Sequence, residues 1–210
     1  MHIAIALISY LIGAIPFSYL LVRFRTGKDI RNEGSGNVGV LNSYEVSDSK
    51  VLGVIVLVLD MLKGYGAVML ARWFGGNEFF SAALAGVFVV LGHNFNIFLR
   101  GKGGRGLAPA AGVSLAINPI TLIFWCIMWL TGYYVIRRNV HVGNMAGTIG
   151  AAILLATAPT QIIRAFMQLP CEPLMQHTIL MMFICMQIFI RHLEPMRELL
   201  TEWNNEPDEL

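Results

Sequence analysis

Two glycine-rich segments contain the residue types best suited to chemistry, and the first lies around residues 34–42. Closely spaced glycines let backbone N–H groups converge on an anion, and Ser and Asn side chains add further donors. The spacing also satisfies G-x-G-x-x-G, but dinucleotide binding needs a preceding strand and a βαβ unit, whereas a long apolar run comes first here. The segment therefore predicts an anion-binding loop, with a flexible loop as the alternative. Its candidate residues are Gly34, Ser35, Gly36, Asn37, Gly39 and Asn42.

The second glycine-rich segment follows another apolar run and reads G-H-N-F-N-I-F-L-R-G-K-G-G-R-G from Gly92. It lacks the Ser or Thr that follows the lysine of a P-loop. Anchoring at a membrane surface would explain its positive charges but not its glycines, so we predict a cationic site of phosphate size. His93 could act as a base, a phosphate donor or a positioning group, or could simply pack in the apolar run. The candidate residues are His93, Lys102, Gly103, Gly104 and Arg105.

Two formal charges, Asp60 and Lys63, stand inside an apolar run. A charge at the centre of a bilayer costs about 2.5–3.5 kcal/mol on insertion scales, and residues at i and i+3 share one helix face and can pair. We interpret them as a structural ion pair in the membrane, with direct substrate contact as the alternative. His192, at the end of the last apolar run, is a weaker candidate on its own. No Cys or His spacing typical of a metal site occurs, so we predict no metal.

The elements that must position these residues follow from the composition. Of 210 residues, 56% are hydrophobic and 13% are charged, whereas about a quarter of a soluble domain is charged. With a formal net charge of +2, the chain is not an acidic disordered protein, a strongly basic nucleic-acid binder or an ordinary cytosolic enzyme domain. The composition predicts an all-α, polytopic membrane protein that forms a single integral membrane domain over residues 1–210.

Seven apolar segments predict about seven transmembrane helices. A helix needs roughly 20 apolar residues to cross a hydrocarbon core of about 30 Å, and six segments approach that length. Residues 107–117 are too short to cross alone and could form a half-depth helix paired with the segment after Asn118-Pro119. In the polar tail 191–210, Pro195 suits a first helical position and predicts a short amphipathic surface helix. The segments are 3–22, 51–71, 79–99, 107–117, 120–136, 142–158 and 174–190.

The distribution of Lys and Arg indicates the orientation. With the N-terminus outside, the inner connections hold twelve of these residues, and the outer connections hold two, Arg72 and Arg164. Positive residues accumulate on the cytoplasmic side of membrane proteins, so both glycine-rich segments and the C-terminus are predicted to face the cytoplasm. This arrangement suits an enzyme that takes one substrate from water and the other from the membrane. A transporter or channel would explain Asp60 and Lys63, but not two glycine-rich cationic loops on one side.

These motifs resemble those of the bacterial membrane acyl-phosphate:glycerol-3-phosphate acyltransferases. The shared pieces are G-S-G-N-V-G with Asn42, D-x-x-K-G from Asp60, and the G-H-N-F segment ending in K-G-G-R-G, in that order along the chain. The resemblance implies seven helices in the cytoplasmic membrane of a bacterium, with the active site facing the cytoplasm. It implies transfer of a fatty acyl group from acyl phosphate to the sn-1 hydroxyl of glycerol 3-phosphate, which gives lysophosphatidic acid and phosphate in phospholipid synthesis.

The resemblance also implies residue roles and partners. Ser35, His93 and Lys102 would be catalytic, and the proton of the acceptor hydroxyl would pass either to the departing phosphate or to His93. No metal or organic cofactor would take part. The partners would be acyl phosphate, glycerol 3-phosphate, membrane lipid and the soluble enzyme that makes acyl phosphate, without nucleic acid. The residues that would bind substrate or phosphate are Gly34, Gly36, Asn37, Gly39, Asn42, Gly103, Gly104, Arg105 and His192.

Several positions depart from the family pattern. Glu45 stands near the place of a family arginine, Arg105 replaces a lysine, and Pro195 and Glu198 replace an asparagine and an arginine of the last motif. A reversed charge beside a phosphate repels it, which is worse than a deleted charge. Three outcomes therefore stay open: an active acyltransferase, one with an altered donor or acceptor, or a catalytically weakened or inactive paralogue. Such a paralogue would bind acyl phosphate or phospholipid and regulate or scaffold lipid synthesis.

Overall fold

The computed structural model describes residues 1–205, with the backbone alone for residues 202, 204 and 205. Every regular element in this part of the chain is helical, as the composition predicts. Short 3₁₀ turns lie before α3 and after α5, and a π-helical turn, Gly132–Ile136, follows α7. The α-helices are α1 His2–Gly13, α2 Phe17–Thr26, α3 Val40–Ser47, α4 Lys50–Phe74, α5 Phe79–Asn94, α6 Leu107–Ile117, α7 Ile120–Thr131, α8 Val140–Thr157, α9 Thr160–Ala165 and α10 Met175–Asn205.

All seven predicted apolar segments are helical. Among residues 1–205, five stretches are long and apolar enough to cross a membrane, and two shorter apolar stretches are Leu107–Ile117 and Ile120–Ile136. The bounds of residues 107–117 agree with the prediction, whereas α4 and α10 extend beyond their predicted segments. The long apolar stretches are His2–Thr26, Lys50–Phe74, Phe79–Leu99, Val140–Thr157 and Met175–Thr201.

The first predicted span, residues 3–22, is broken rather than continuous. α1 ends at Gly13 and α2 begins at Phe17, because Pro16 has no backbone N–H and its ring disrupts the helical hydrogen-bond ladder. Side chains from distant parts of the chain satisfy the carbonyls that the break frees: Asn96, just after α5, donates to the Ala14 oxygen at 2.7 Å, and Lys63 of α4 donates to the Ile15 oxygen at 3.2 Å. A break at membrane depth is tolerated when the protein supplies such partners.

Glycines set the closest helix crossings. A β-carbon on Gly64 of α4 would overlap the carbonyl of Pro109, and one on Gly112 of α6 would overlap the carbonyl of Met61. Small residues let helix backbones approach closely in a membrane, where packing replaces the hydrophobic effect as the driving force. α4 and α6 therefore cross backbone against backbone, and Gly13 and Gly92 bring α1 and α5 together in the same way.

α8 presents a stripe of glycines to the large side chains of α7. Gly143 faces Trp129, Gly147 faces Trp125, and a β-carbon at either position would lie about 2.9 Å from the indole ring. The Trp129 indole N–H also donates to the Asn144 side-chain oxygen at 2.9 Å. This packing fixes the α7–α8 pair, and α8 carries residues of the site described below.

α6 is a short helix that packs mainly against α4, whereas α7 packs mainly against α8. The eleven residues of α6 rise about 16 Å, which is roughly half of a hydrocarbon core. The turn between α6 and α7 is anchored by buried Asn118, whose side-chain N–H donates to the Ile163 carbonyl at 3.0 Å, and by the Gln168 N–H, which donates to the Ile117 carbonyl at 2.9 Å. The predicted short helix is thus present, but the prediction that it pairs with the next segment is wrong, because its main partner is α4.

The prediction of a separate surface helix in the tail is wrong. α10 runs without interruption to Asn205, with Pro195 inside it. Packing supports this extension, because Leu199 is buried and the Arg137 guanidinium lies 4.6 Å from the centre of the Trp203 ring. The last predicted residues of the tail, 206–210, lie outside the described part of the chain.

Candidate active site

The first glycine-rich segment is folded around the side chain of Asn42. The Asn42 oxygen accepts a hydrogen bond from the Ser35 N–H at 3.0 Å, and its amide nitrogen lies within 3.2 Å of the carbonyls of Ile30, Glu33 and Asn37. Asn42 is 1% exposed. The side chain of Asn42 thus forms its hydrogen bonds within the loop, and these bonds determine the conformation of the segment.

The start of the same loop is held by an ion pair between neighbours. The Arg31 guanidinium donates to both carboxylate oxygens of Asp29, at 2.9 and 2.6 Å. This hydrogen bonding lowers the pKa of Asp29 to about 2. The pair therefore stays ionised and fixes the chain that leads into the loop.

The second glycine-rich segment is pressed against the end of α5. A β-carbon on Gly103 would overlap the His93 carbonyl, and one on Gly104 would overlap the His93 ring. The Gly104 N–H donates to the His93 carbonyl at 3.1 Å. From the opposite side, the Arg191 guanidinium donates to the carbonyls of Gly104 and Gly103, each at 3.0 Å. Only glycine fits at these two positions, because the backbone lies so close to His93. The hydrogen bonds from Arg191 hold the turn that precedes Arg105.

Behind His93 lies the charged pair inside the bundle. The Lys63 ammonium is 2.7 Å from the Asp60 carboxylate, and the Nδ1 atom of His93 is 3.8 Å from the same oxygen. All three side chains are at most 8% exposed. The two residues predicted to pair are therefore adjacent, and they also stand directly behind His93.

A chain of hydrogen bonds orients His192. The Nδ1 atom of His192 lies 2.8 Å from the Ile188 carbonyl, which can only accept, so the ring proton of a neutral His192 lies on Nδ1. The Nε2 atom then accepts from the Asn144 amide at 3.3 Å. Because Trp129 donates to the Asn144 oxygen, the orientation of the amide and the tautomer of His192 are determined together.

These groups surround one cavity of about 710 Å³, which has a polar end and a longer part lined mainly by apolar side chains. At the polar end, the Arg105 guanidinium is 3.3 Å from the Nδ1 atom of His141. Mostly apolar side chains from α4, α6, α7, α8 and α10 line the rest. The residues with polar side chains in the lining are Asn37, Tyr44, Lys50, Asp60, His93, Arg105, Ser114, Thr121, His141, Asn144 and His192, and the backbone of Gly39 and Gly106 adds to it.

Comparison with known proteins identifies the family. A family model described as glycerol-3-phosphate acyltransferase matches residues 3–202. The chain belongs to the glycerol-3-phosphate acyltransferase family. It is 41% identical over 148 residues to the glycerol-3-phosphate acyltransferase of Desulforamulus reducens, covering 70% of this chain and 72% of the relative. To glycerol-3-phosphate acyltransferase 2 of Moorella thermoacetica it is 38% identical over 148 residues, covering 70% and 74%.

Solved structures of a family member share the fold. The glycerol 3-phosphate form of PlsY (YgiH), an integral membrane glycerol 3-phosphate acyltransferase, superposes with a TM-score of 0.78 at 30% identity. Its lysophosphatidic acid form superposes with a TM-score of 0.76 at 28% identity. Each alignment covers 96% of this chain and 92% of the solved chain. The predicted family, the acyltransferase activity and the multi-pass membrane character are thereby confirmed.

The acyltransferase cavity contains only some of the predicted site residues. Ser35 and Lys102 are exposed at the surface and do not line the cavity. Gly103 and Gly104 line a separate small gap with Lys63 and His93. Gly34, Gly36 and Asn42 lie in or under the first loop without lining the cavity, whereas Asn37, Gly39, Asp60, His93, Arg105 and His192 do line it.

Other residues of the site were missed or given little weight. Arg191 acts through backbone carbonyls that are 87 and 88 positions away in sequence, which no local pattern reveals. Lys50, the first residue of α4, lines the cavity, whereas the sequence alone marks it only as one basic residue beside an apolar run. His141 and Asn144 follow Arg137-Arg138 at a helix start, and that position beside a basic pair was their only signal. Among residues 1–205, no group of three or more His, Cys, Asp or Glu side chains could hold a metal ion.

The electrostatics of the polar end centre on Arg105. Burial, followed by repulsion from Arg191, lowers the pKa of Arg105 from its ordinary value. The carboxylates of Glu198, Glu194 and Glu45 act in the opposite direction without overcoming the effect of burial. The nearby glutamates therefore do not restore the ordinary pKa of Arg105. A bound phosphate, as a closer negative charge, would favour the charged guanidinium and raise that pKa.

Proposed function

We propose that this cavity binds both substrates of an acyl-phosphate:glycerol-3-phosphate acyltransferase and produces lysophosphatidic acid. The observation that carries the proposal is the continuity of the cavity, which joins a cationic, histidine-rich end to a hydrocarbon-lined length. A phosphate group fits the first part and a fatty acyl chain fits the second. The solved relative in glycerol 3-phosphate and lysophosphatidic acid forms supports the same pair of ligands.

The phosphate of the donor binds where Arg105 meets the start of α6. Gly106 caps this helix without a side-chain hydrogen bond, and Gly106, Leu107 and Ala108 all line the cavity. The first N–H groups of a helix have no partner within the helix, and its dipole favours an anion there. Arg105 adds a forked set of donors suited to phosphate. His141, 3.3 Å from Arg105, completes this end of the site.

The reaction needs no covalent enzyme intermediate, because acyl phosphate is a mixed anhydride and its acyl group is already activated. The sn-1 hydroxyl oxygen of glycerol 3-phosphate forms a bond to the acyl carbon, and the bond from that carbon to the phosphate oxygen breaks. Inorganic phosphate leaves with the electron pair, and the hydroxyl proton passes to His93. The Nδ1 atom of His93 lies 3.8 Å from the Asp60 carboxylate, which would stabilise the protonated ring. Holding two phosphates in reacting geometry, and stabilising the oxyanion, supply the rate enhancement.

The proposed site opens to the cytoplasmic side of a bacterial inner membrane. This placement rests on the excess of positive residues at the loops that carry the site. Glycerol 3-phosphate is water-soluble and arrives from that side, whereas the acyl chain lies in the bilayer. A soluble enzyme that makes acyl phosphate would deliver the donor to the same surface.

The test is release of phosphate from palmitoyl phosphate by the purified protein, with and without glycerol 3-phosphate. We expect release that depends on the acceptor, with lysophosphatidic acid as the product. Replacing Arg105 with Ala should lower kcat/KM at least about 100-fold, and Arg25→Ala, at an exposed position of α2, should leave it unchanged. Binding of palmitoyl phosphate without turnover would instead support the inactive paralogue.

Ser35→Ala and Lys102→Ala test the two catalytic residues that the family resemblance implies. Both side chains are exposed and outside the cavity lining, so their direct participation would require the loops to move toward the substrates. Loss of transfer in both variants, with normal membrane insertion, would support the implied roles. Full activity in both variants would show that neither side chain is catalytic and that the active site consists of residues that line the cavity.

A further inference from the structure

The apolar part of the cavity has a defined depth. Its lining includes Val140 to Ala151 on α8 and His192 back to Met181 on α10. Each stretch covers eleven helical steps, which correspond to about 16 Å. Both walls begin beside the polar end, where the side chains of Asn144 and His192 are hydrogen-bonded at 3.3 Å.

The far end of these two walls meets the buried core of the bundle. Met181 belongs to the same buried cluster as Ile117 and Leu169, and the α6–α7 turn that follows Ile117 is anchored by Asn118 to the carbonyl of Ile163 at 3.0 Å. Thr121, just after this turn, also lines the cavity. Ala151 and Met181 line the cavity at the ends of the two walls farthest from the polar end, and each is 1% exposed.

The length of the cavity can be compared with that of a hydrocarbon chain. A carbon–carbon bond of about 1.5 Å advances an extended, tetrahedral chain by roughly 1.25 Å. A depth of about 16 Å therefore holds an extended acyl chain of roughly 14 carbons. A longer chain must bend or leave its end outside, and a shorter chain leaves apolar wall uncovered.

We propose that Ala151 and Met181 form the floor that sets the acyl-chain length this enzyme prefers. The inference rests on the proposed function, because it takes the acyl chain of the donor as the occupant of the apolar length. The small side chain at Ala151 leaves room for the last carbons of the chain. The flexible Met181 side chain, which tolerates reshaping of its surroundings, closes the end.

Two substitutions with opposite effects test the floor. Ala151→Phe fills the end of the cavity, and Met181→Ala deepens it. The values of kcat/KM are measured for decanoyl phosphate and palmitoyl phosphate with saturating glycerol 3-phosphate. Ala151→Phe should lower the palmitoyl-to-decanoyl ratio about tenfold or more, since even one methylene in an apolar pocket changes discrimination by about 10-fold. Met181→Ala should raise the ratio.

The matched control is Ile153→Phe, two residues further along α8 at a position that is 56% exposed and outside the cavity lining. Its ratio should equal that of the wild type. Transfer in all variants with the same ratio would overturn the floor, whereas absence of transfer by the wild type from either donor would overturn the proposed function instead. If Ala151→Phe does not fold, the direction of the ratio in Met181→Ala decides.

Discussion

The Arg191 side chain determines where Arg105 points, although Arg191 does not line the cavity. Its two hydrogen bonds hold the carbonyls of Gly103 and Gly104, and Arg105 follows directly. Lys keeps the charge but lacks the planar fork that spans two acceptors. Arg191→Lys should therefore raise the KM for palmitoyl phosphate, whose phosphate Arg105 binds, about tenfold, given that one hydrogen bond to a charged group contributes about 1.5–3 kcal/mol.

Steady-state kinetics of Arg191→Lys beside Arg197→Lys check this positioning role. Arg197 is exposed on the same helix, so its substitution should leave KM unchanged. The thermal midpoints of both variants should match the wild type, which separates positioning from loss of fold. An unchanged KM in Arg191→Lys would contradict the role assigned to Arg191.

At the level of residues, the sequence predicted which segments matter better than it predicted the role of each residue. Both glycine-rich segments border the cavity, and Arg105 and His93 are among its lining residues. In the second segment, however, Gly103 and Gly104 serve close packing against His93, whereas Gly101 and Gly106 take positive φ angles of 81° and 84°. Asn42 could not be distinguished from a ligand-binding residue, because its partners are carbonyls that only the folded loop brings together.

Among the helices, the α4–α6 crossing offers a sharp comparison between two glycines of α4. A β-carbon on Gly64 would overlap the Pro109 carbonyl, whereas one on Gly66 would meet no heavy atom within 4 Å. Gly64→Ala must separate the helices and should destabilise the protein by about 1–3 kcal/mol. Gly66→Ala should stabilise it by about 0.5–1 kcal/mol, since Gly is unfavourable within a helix.

Thermal unfolding of both variants in the same detergent measures this difference. The midpoint of Gly64→Ala should fall and that of Gly66→Ala should stay or rise. Because α6 forms a wall of the cavity, Gly64→Ala should also lose activity below its unfolding temperature. Equal midpoints for the two variants would show that the crossing does not depend on close approach.

Hydrophobic run lengths predicted the existence of the seven apolar helices and even the bounds of α6, because burial in a membrane demands uninterrupted apolar sequence. They failed where tertiary contacts override local signals. Pro16 breaks the first span, and the break is tolerated because the side chains of Asn96 and Lys63 satisfy the freed carbonyls. Pro195 does not break the last helix, which packing of Leu199 and Trp203 extends. α3 and α9 are too short and too mixed in composition to give a clear pattern.

For the molecule as a whole, charge distribution is the strongest signal of how the bundle sits in the membrane. In the predicted topology, twelve basic residues fall on the inner connections and two on the outer ones, and the glycine-rich loops belong to the inner connections. Both loops border one cavity, so the orientation of the bundle decides from which side glycerol 3-phosphate enters. The prediction of the cytoplasmic side can therefore be tested apart from catalysis.

Cysteine labelling in intact cells provides that test. In a chain with Cys126, Cys171 and Cys185 replaced by Ala, a single cysteine is placed at Lys28, before the first loop, or at Glu78, at the opposite end. Both side chains are well exposed, at 52% and 61%. A membrane-impermeant maleimide should label Glu78→Cys in intact cells and Lys28→Cys only after permeabilisation, because positive residues remain on the cytoplasmic side. The reverse pattern would place the phosphate end of the cavity outside, where a soluble cytoplasmic donor enzyme could not reach it.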